Sequence, residues 1–173
     1  MTSASESGQV NSDCRPDLQR VWDIIAQVQV CMLVTQFSDG LRARPVEARL
    51  RGDGQIYVLT DADSDKRSEI GASPEVALVF TDAKQKIYLS ISGRASIIND
   101  EEIARAIWEL TDRVWWKTGP ADPNLRVLRV EPQTAELWDG PSSTAVEVFE
   151  FAKALVTGLE PNLGQNRKVT IKM

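Results

Sequence analysis

Between Val28 and Cys31 the hydrophobic pattern changes period, and this change constrains the fold more than any other feature of the chain. Upstream, Leu18, Val21, Trp22, Ile25 and Val28 recur at i, i+3 and i+4, the stripe of a helix with one buried face. Pro16 and Asp17 suit its first turn. Downstream, Cys31 to Phe37 is apolar and β-branched, Ser38-Asp39-Gly40 is turn chemistry, and Leu41 to Leu50 alternates bulky and small side chains. Gly52-Asp53-Gly54 makes a second turn and Gln55 to Thr60 a third strand. These three strands are expected to form an antiparallel meander.

Further along, Asp61 to Asp65 reads as a polar loop and Lys66 to Ala72 as a short helix stopped by Ser73-Pro74. Val76 to Thr81 and Ile87 to Ile98 are strands joined through Asp82-Ala83-Lys84-Gln85. Asn99 followed by Glu102 forms a capping box that opens a helix through Leu110. Trp115 to Asn124 is a Gly/Pro-rich loop, and Val127 to Val130 with Ala135 to Trp138 reads as a closing hairpin. Thr144 to Val156 is amphipathic and stops at Thr157-Gly158. Six or seven short strands with helices inserted between them favour a small antiparallel barrel, mainly β, over a parallel sheet. With 173 residues the chain suits one domain. Residues 1–14 read as a disordered arm and 15–173 as the folded domain.

Composition narrows the chemistry. A formal net charge of −5 argues against broad attraction to nucleic acid or an anionic membrane, so any bound anion needs a local Lys/Arg cluster. No stretch approaches the ~20 apolar residues of a membrane helix. Met1 to Asp13 is small and polar without a cationic start, so no signal peptide is expected. Cys14 and Cys31 are too few for a disulfide framework, and a reduced, cytoplasmic setting is the simpler expectation. There is no histidine, which excludes Ser-His-Asp and Cys-His catalysis, His-ligated zinc and any His general base. An enzyme with this composition is expected to borrow its hard chemistry from something it binds.

Three segments could carry that function. In Leu41-Arg42-Ala43-Arg44-Pro45-Val46, Arg42 and Arg44 project to one strand face, and Pro45 withholds a ladder hydrogen bond. Two guanidiniums there can grip a phosphate or a carbonyl, or simply line a solvated edge. Thr60 to Arg67 is a strand end running into a helix start, where free N–H groups, the Thr60 and Ser64 hydroxyls, Lys66 and Arg67 suit a phosphate. Asp61, Asp63 and Asp65 oppose an anion and match the first ligand positions of an EF-hand loop. Lys66 stands where that loop needs Gly and Ala72 where it needs Glu, so no metal site is expected. Helix caps and solvated charge remain the plain alternative. Adjacent Trp115 and Trp116, and Trp138, read as core, as a dimer contact or as a ligand lid.

Taken in order, these segments resemble the flavin-binding split barrels related to pyridoxamine 5′-phosphate oxidase, from about Leu18 to Val169. The marks are the Arg-Ala-Arg-Pro strand at 42–45, the Thr60 to Lys66 turn, and Trp115 followed by Gly119-Pro120-Ala121-Asp122-Pro123. Glu136-Leu137-Trp138-Asp139-Gly140-Pro141-Ser142-Ser143 and Asn162-Leu163-Gly164-Gln165-Asn166-Arg167-Lys168-Val169 resemble the general-stress-protein branch in particular.

The resemblance implies a homodimeric split β-barrel of six or seven antiparallel strands with flanking helices. Flavin mononucleotide (FMN) would sit in clefts between the subunits, with FAD or the deazaflavin F420 as alternatives. By that resemblance Arg44, Pro45, Val46 and Glu47 lie beside the flavin ring, Leu59 and Thr60 near it, and Ser64 and Lys66 at its phosphate. Tyr88, Trp115 and Trp138 complete the expected cofactor set, and Arg49 matches a Lys that serves flavin and substrate in the oxidase. Asp65 stands where the oxidase has a second phosphate-binding Arg, removing one charge-assisted contact. The oxidase's C-terminal Arg-x-His substrate motif has no counterpart in Gly140-Pro141-Ser142-Ser143. Oxidation of pyridoxamine phosphate is therefore not expected. The resemblance implies a flavin-dependent oxidoreductase accepting electrons from a reduced nicotinamide or similar donor, with no catalytic side chain assigned. The alternatives are a non-catalytic flavin-binding stress protein and an F420-dependent reductase.

Overall fold

A computed structural model describes residues 14–139 and, as backbone, 165–170. Residues 1–13 of the arm expected at 1–14, the helix expected at Thr144 to Val156, and the sequence marks at 140–143 and 162–164 lie outside the described residues, and Cys14 belongs to the first helix.

Helix α1 (Cys14–Val28) buries Val21, Ile24 and Ile25 as its stripe requires. It ends at Gln29, whose left-handed backbone (φ 57°) turns the chain into the first strand. The remaining elements are β1 (Val30–Phe37), β2 (Gly40–Glu47), β3 (Arg49–Leu50), β4 (Ile56–Asp61), α2 (Asp65–Ala72), β5 (Glu75–Asp82), β6 (Ile87–Ile98), α3 (Glu101–Ala106), β7 (Leu125–Asp139) and β8 (Gln165–Thr170). Short 3-10 turns at Leu110–Val114 and Gly119–Ala121 join α3 to β7.

The strands form an antiparallel sheet ordered β2-β1-β5-β6-β7-β4-β3, with β8 added beside the second half of β7. The expected meander keeps both antiparallel pairings but is split within its middle strand. β2 pairs with β1, but β4 pairs with β3 and β7, and the expected strand Leu41 to Leu50 breaks at Ala48. The Ala48 N–H donates to the Gln29 carbonyl at 2.8 Å, one step past the Val30–Glu47 pair, before the chain enters β3. Because β2 and β3 terminate opposite ends of the strand order yet are joined by this one residue, the sheet curls back on itself into the split barrel.

The concave face carries the main core. Leu33, Leu78, Phe80, Leu89, Ile91, Leu128 and Leu137 alternate inward along their strands and meet Ile24 and Ile25 of α1 and Ile70 of α2. A second cluster of Tyr57, Trp116, Leu125 and Val127 lies under α3, on the other face of β4 and β7. β4 is thus apolar on both faces, which is why Ile56-Tyr57-Val58 shows no alternation.

Two further expectations are corrected. The closing hairpin is a single 15-residue strand, β7, because the 12-residue β6 offers a partner to both of its halves. Pro132 sits where the register shifts: Ser92 faces Thr134 and Gly93 faces Pro132, leaving Gln133 as the extra residue of a bulge. The cap of α3 is Asp100, not Asn99; its carboxylate accepts from the Ile103 N–H at 2.9 Å. That helix stops at Ala106 rather than Leu110, because Leu110 to Val114 forms a 3-10 turn that delivers Asp112 to a buried arginine.

At the bulge a Cβ on Gly93 would lie 2.3 Å from the Glu131 carbonyl oxygen, a backbone atom that cannot move alone. Gly93→Ala is expected to destabilise the fold by about 1–3 kcal/mol, the range for overpacking. Urea unfolding followed by tryptophan fluorescence measures this, and an unchanged midpoint would refute the close approach.

Candidate functional site

At the end of β4 the buried Thr60 hydroxyl lies 3.3 Å from the Ser64 hydroxyl and 3.3 Å from Lys66 Nζ. Ser64 is the N-cap residue of α2, but its side chain does not cap the helix and faces Thr60 instead. Lys66, in the first turn, is half-buried. Burial lowers its pKa below the ordinary lysine value, the like charge of Arg44 lowers it further, and Asp61, Glu69 and Asp65 pull in the opposite direction. The ammonium therefore leans on one neutral hydroxyl, that of Thr60, within the influence of the Arg44 charge. A cation pair with two hydroxyls at a helix start fits a phosphate; the three carboxylates nearby reduce its strength.

Arg44 reaches this region because β2 alternates. Arg42, Arg44 and Val46 pair with Thr35, Leu33 and Cys31, all inward-facing on β1. Its guanidinium donates to Thr35 Oγ1 at 3.1 Å and forms a short ion pair with Glu69 Oε2. Thr35 Oγ1 also donates to Glu69 Oε2, at 2.6 Å. Arg42 stacks on the Phe37 ring at 3.7 Å with Nη1 3.9 Å from Glu69 Oε1. Thr35 and Glu69 were missed by sequence reading. A hydroxyl at an inward position of β1, and a carboxylate three residues after Lys66 beside the buried Ile70, are the signals that could have found them.

The other expected residues face elsewhere. Pro45 and Glu47 point to the convex face with Met32 and Val30, their partners on β1. Tyr88 and Trp138 pair across β6 and β7 on that same face and are 45% and 37% exposed. Val46 is buried in the main core, so only its backbone is available to a ligand there. Leu59 packs into the second cluster. The adjacent tryptophans separate: Trp115 is 77% exposed, whereas Trp116 is buried and its indole N–H donates to Asp61 Oδ1 at 2.9 Å. Within one chain, then, Arg44, Thr60, Ser64 and Lys66 come together, while Pro45, Glu47, Tyr88 and Trp138 lie on the opposite side of the sheet. Clefts of about 330 Å³ beside α3 and about 290 Å³ beside Arg49 are lined by other residues than these.

Arg49 is committed to structure. It is 7% exposed, forms two bonds to Asp112 (2.6 and 2.9 Å), donates to the Ile107 carbonyl at 2.7 Å and pairs with Glu47 at 3.1 Å. Burial pulls its pKa down, but Asp112 and Glu47 outweigh burial and leave it above the ordinary arginine value. The pair staples β3, at one end of the sheet, to the 3-10 turn that carries Trp115.

A family model described as pyridoxamine 5′-phosphate oxidase like matches residues 16–162. The chain belongs to that family. Among relatives of this pyridoxamine 5′-phosphate oxidase like chain, general stress protein 26 of Bacillus subtilis is 31% identical over 100 residues, covering 54% of this chain and 68% of its own. The curated relatives are matched over about two thirds of their length, 66% and 68%. A solved structure assigned to general stress protein 26 from Jannaschia sp. CCS1 superposes with a TM-score of 0.74 at 25% identity, covering 90% of this chain and 99% of that one. The general stress FMN/FAD binding protein of Xanthomonas citri superposes with a TM-score of 0.66 at 26% identity, covering 77% and 93%.

Removing one partner of the Arg49–Asp112 pair strands a buried charge. Asp112→Ala is expected to lose about 3–5 kcal/mol of stability, measurable by denaturant unfolding. A loss within about 0.5 kcal/mol, typical of an exposed position, would show that Arg49 finds solvent or another partner.

Proposed function

We propose that this protein binds FMN as a homodimer and acts as a flavin-dependent oxidoreductase with a stress-related role in a reducing, cytoplasmic setting. The observation that carries the reading is one cluster: Lys66 donates to the Thr60 hydroxyl, the Ser64 hydroxyl lies against Thr60, and the charge of Arg44 depresses the Lys66 pKa. The FMN/FAD binding protein of Xanthomonas citri, similar in fold and sequence, supports it.

The second copy enters from the convex face. Val30 and Met32 are exposed there with Pro45, and Tyr88 and Trp138 are exposed on the same face across β5, so the face carries two apolar patches. A partner laid on this face would bring aromatic side chains to the side of the sheet where Pro45 and Glu47 project. Lys66, Ser64 and Thr60 would hold the phosphate, and the backbone of Arg44 to Glu47 would line the ring edge. Such a flavin supplies reversible two-electron transfer, with a reduced nicotinamide as the donor class. FAD and the deazaflavin F420 fit the same donors.

A second reading, a flavin-binding stress protein without efficient turnover, draws on two observations. The chain has no histidine, and Asp61, Asp65 and Glu69 surround the phosphate cations. Rapid mixing with a reduced nicotinamide separates the two: bleaching of the flavin that recovers on adding an acceptor supports the reductase, and its absence supports the carrier.

Titration of the purified protein with FMN, followed by flavin fluorescence, is expected to saturate at one per subunit. Failure to bind FMN, FAD and F420 would overturn the proposal. Lys66→Glu should weaken FMN binding by about tenfold or more, the equivalent of ~1.4 kcal/mol; an unchanged affinity removes the phosphate assignment. Because the anion needs a charged Lys66, FMN affinity should fall as pH rises through the Lys66 pKa. That fall should begin below the ordinary lysine range. Riboflavin, which lacks the phosphate, should show neither effect.

A further inference from the structure

We infer that Glu69 is a positioning residue: its buried carboxylate ties α2 to the β1–β2 hairpin and thereby holds Arg44 and Lys66 as a cation pair facing one anion. The inference rests on the flavin reading for its ligand and adds a residue that this reading does not include.

The Glu69 side chain is 0% exposed, although it carries charge in a core otherwise built from aliphatic groups. Its Oε2 accepts from Thr35 and from Arg44, and Arg44 donates to Thr35 as well, so the three side chains close a triangle between β1, β2 and α2. Its Oε1 has no hydrogen-bond partner and faces Arg42 at 3.9 Å. Apolar side chains in place of the whole triangle would cost little stability, since desolvating a carboxylate offsets most of what its ion pair returns. The group instead does something geometric. Lys66 lies three residues earlier on the same helix, one turn away, so whatever anchors Glu69 also aims Lys66. From this anchored helix Lys66 reaches Thr60 on β4, and Arg44 stays near enough to act on it as a like charge. Two cations held this way attract a bound phosphate; freed, each would swing toward solvent or toward Asp61 and Asp65.

The test uses sign. By Coulomb attraction alone, neutralising an anion beside two cations strengthens phosphate binding. A positioning role predicts the reverse. FMN and riboflavin are titrated against the wild type and Glu69→Gln, with flavin fluorescence as the readout. The expected result is a loss of FMN affinity of roughly tenfold with riboflavin affinity held within about twofold. An FMN affinity that is unchanged or raised overturns the inference, as does an equal loss for both flavins, which marks general loosening of the fold. Should Glu69→Gln not fold, Thr35→Val removes one corner of the triangle without altering charge, and a selective FMN loss of about threefold is expected, with equal or no losses overturning the inference. Wild type that binds FMN while Glu69→Gln binds it as well refutes the role of Glu69 alone. Wild type that binds neither flavin refutes the flavin reading and this inference with it.

Discussion

Ala48 is all that separates β2 from β3, yet these strands stand at opposite ends of the hydrogen-bonded order. A flat sheet of that order would set them many strand spacings apart, about 4.8 Å for each neighbour, which one residue cannot bridge. The sheet has to curl until its ends meet, and strand twist supplies the direction of curling. Everything else follows that closure. The concave face becomes a closed core, α1 and α2 pack into it, and the Arg49–Asp112 pair clamps the seam on the side of β3.

Closure also gathers Thr35, Arg44, Thr60 and Lys66 into one cluster. Thr35 and Arg44 belong to one end of the strand order and Thr60 to the other, with α2 running between β4 and β5. They converge only because the sheet returns on itself. The two buried carboxylates then play different parts. Asp112 holds an arginine with a bidentate bond, and the Ile107 carbonyl supports the same guanidinium. Glu69 shares one oxygen between a hydroxyl and an arginine and leaves the other unbonded, an arrangement that favours geometry over stability.

Strand alternation divides the remaining expected site residues. Arg44 faces inward, and its neighbours Pro45 and Glu47 face outward with Tyr88 and Trp138. A single chain therefore offers phosphate-type donors on one side of the sheet and aromatic surface on the other.

Much was legible in the sequence because the controlling physics is local. The helical stripe from Leu18 to Val28, the turn at Ser38-Asp39-Gly40, the Asp65–Ala72 helix and the long strand Ile87 to Ile98 all rest on period and turn chemistry. Thr60, Ser64 and Lys66 come together within a few residues of chain, so their association was readable too. The Arg-Ala-Arg-Pro strand and the tryptophan marks pointed to the family through their order alone. Other features depended on partners distant in sequence. Whether residues 131–134 turn or continue was settled by the length of β6 and the room beside Gly93. Which tryptophan is buried was settled by Asp61, 55 positions away from Trp116. The pairing of β4 with β7, the commitment of Arg49 to Asp112 and the capture of Arg44 by Glu69 are likewise long-range. The sequence by itself determined the first helix, the short helix after β4, most of the strands and the local cluster of Thr60, Ser64 and Lys66, because each depends on neighbours along the chain. Only the tertiary structure decided the strand order, the face each site residue occupies and the counter-charge of each arginine, because those are set by sheet closure and by burial that no local pattern encodes.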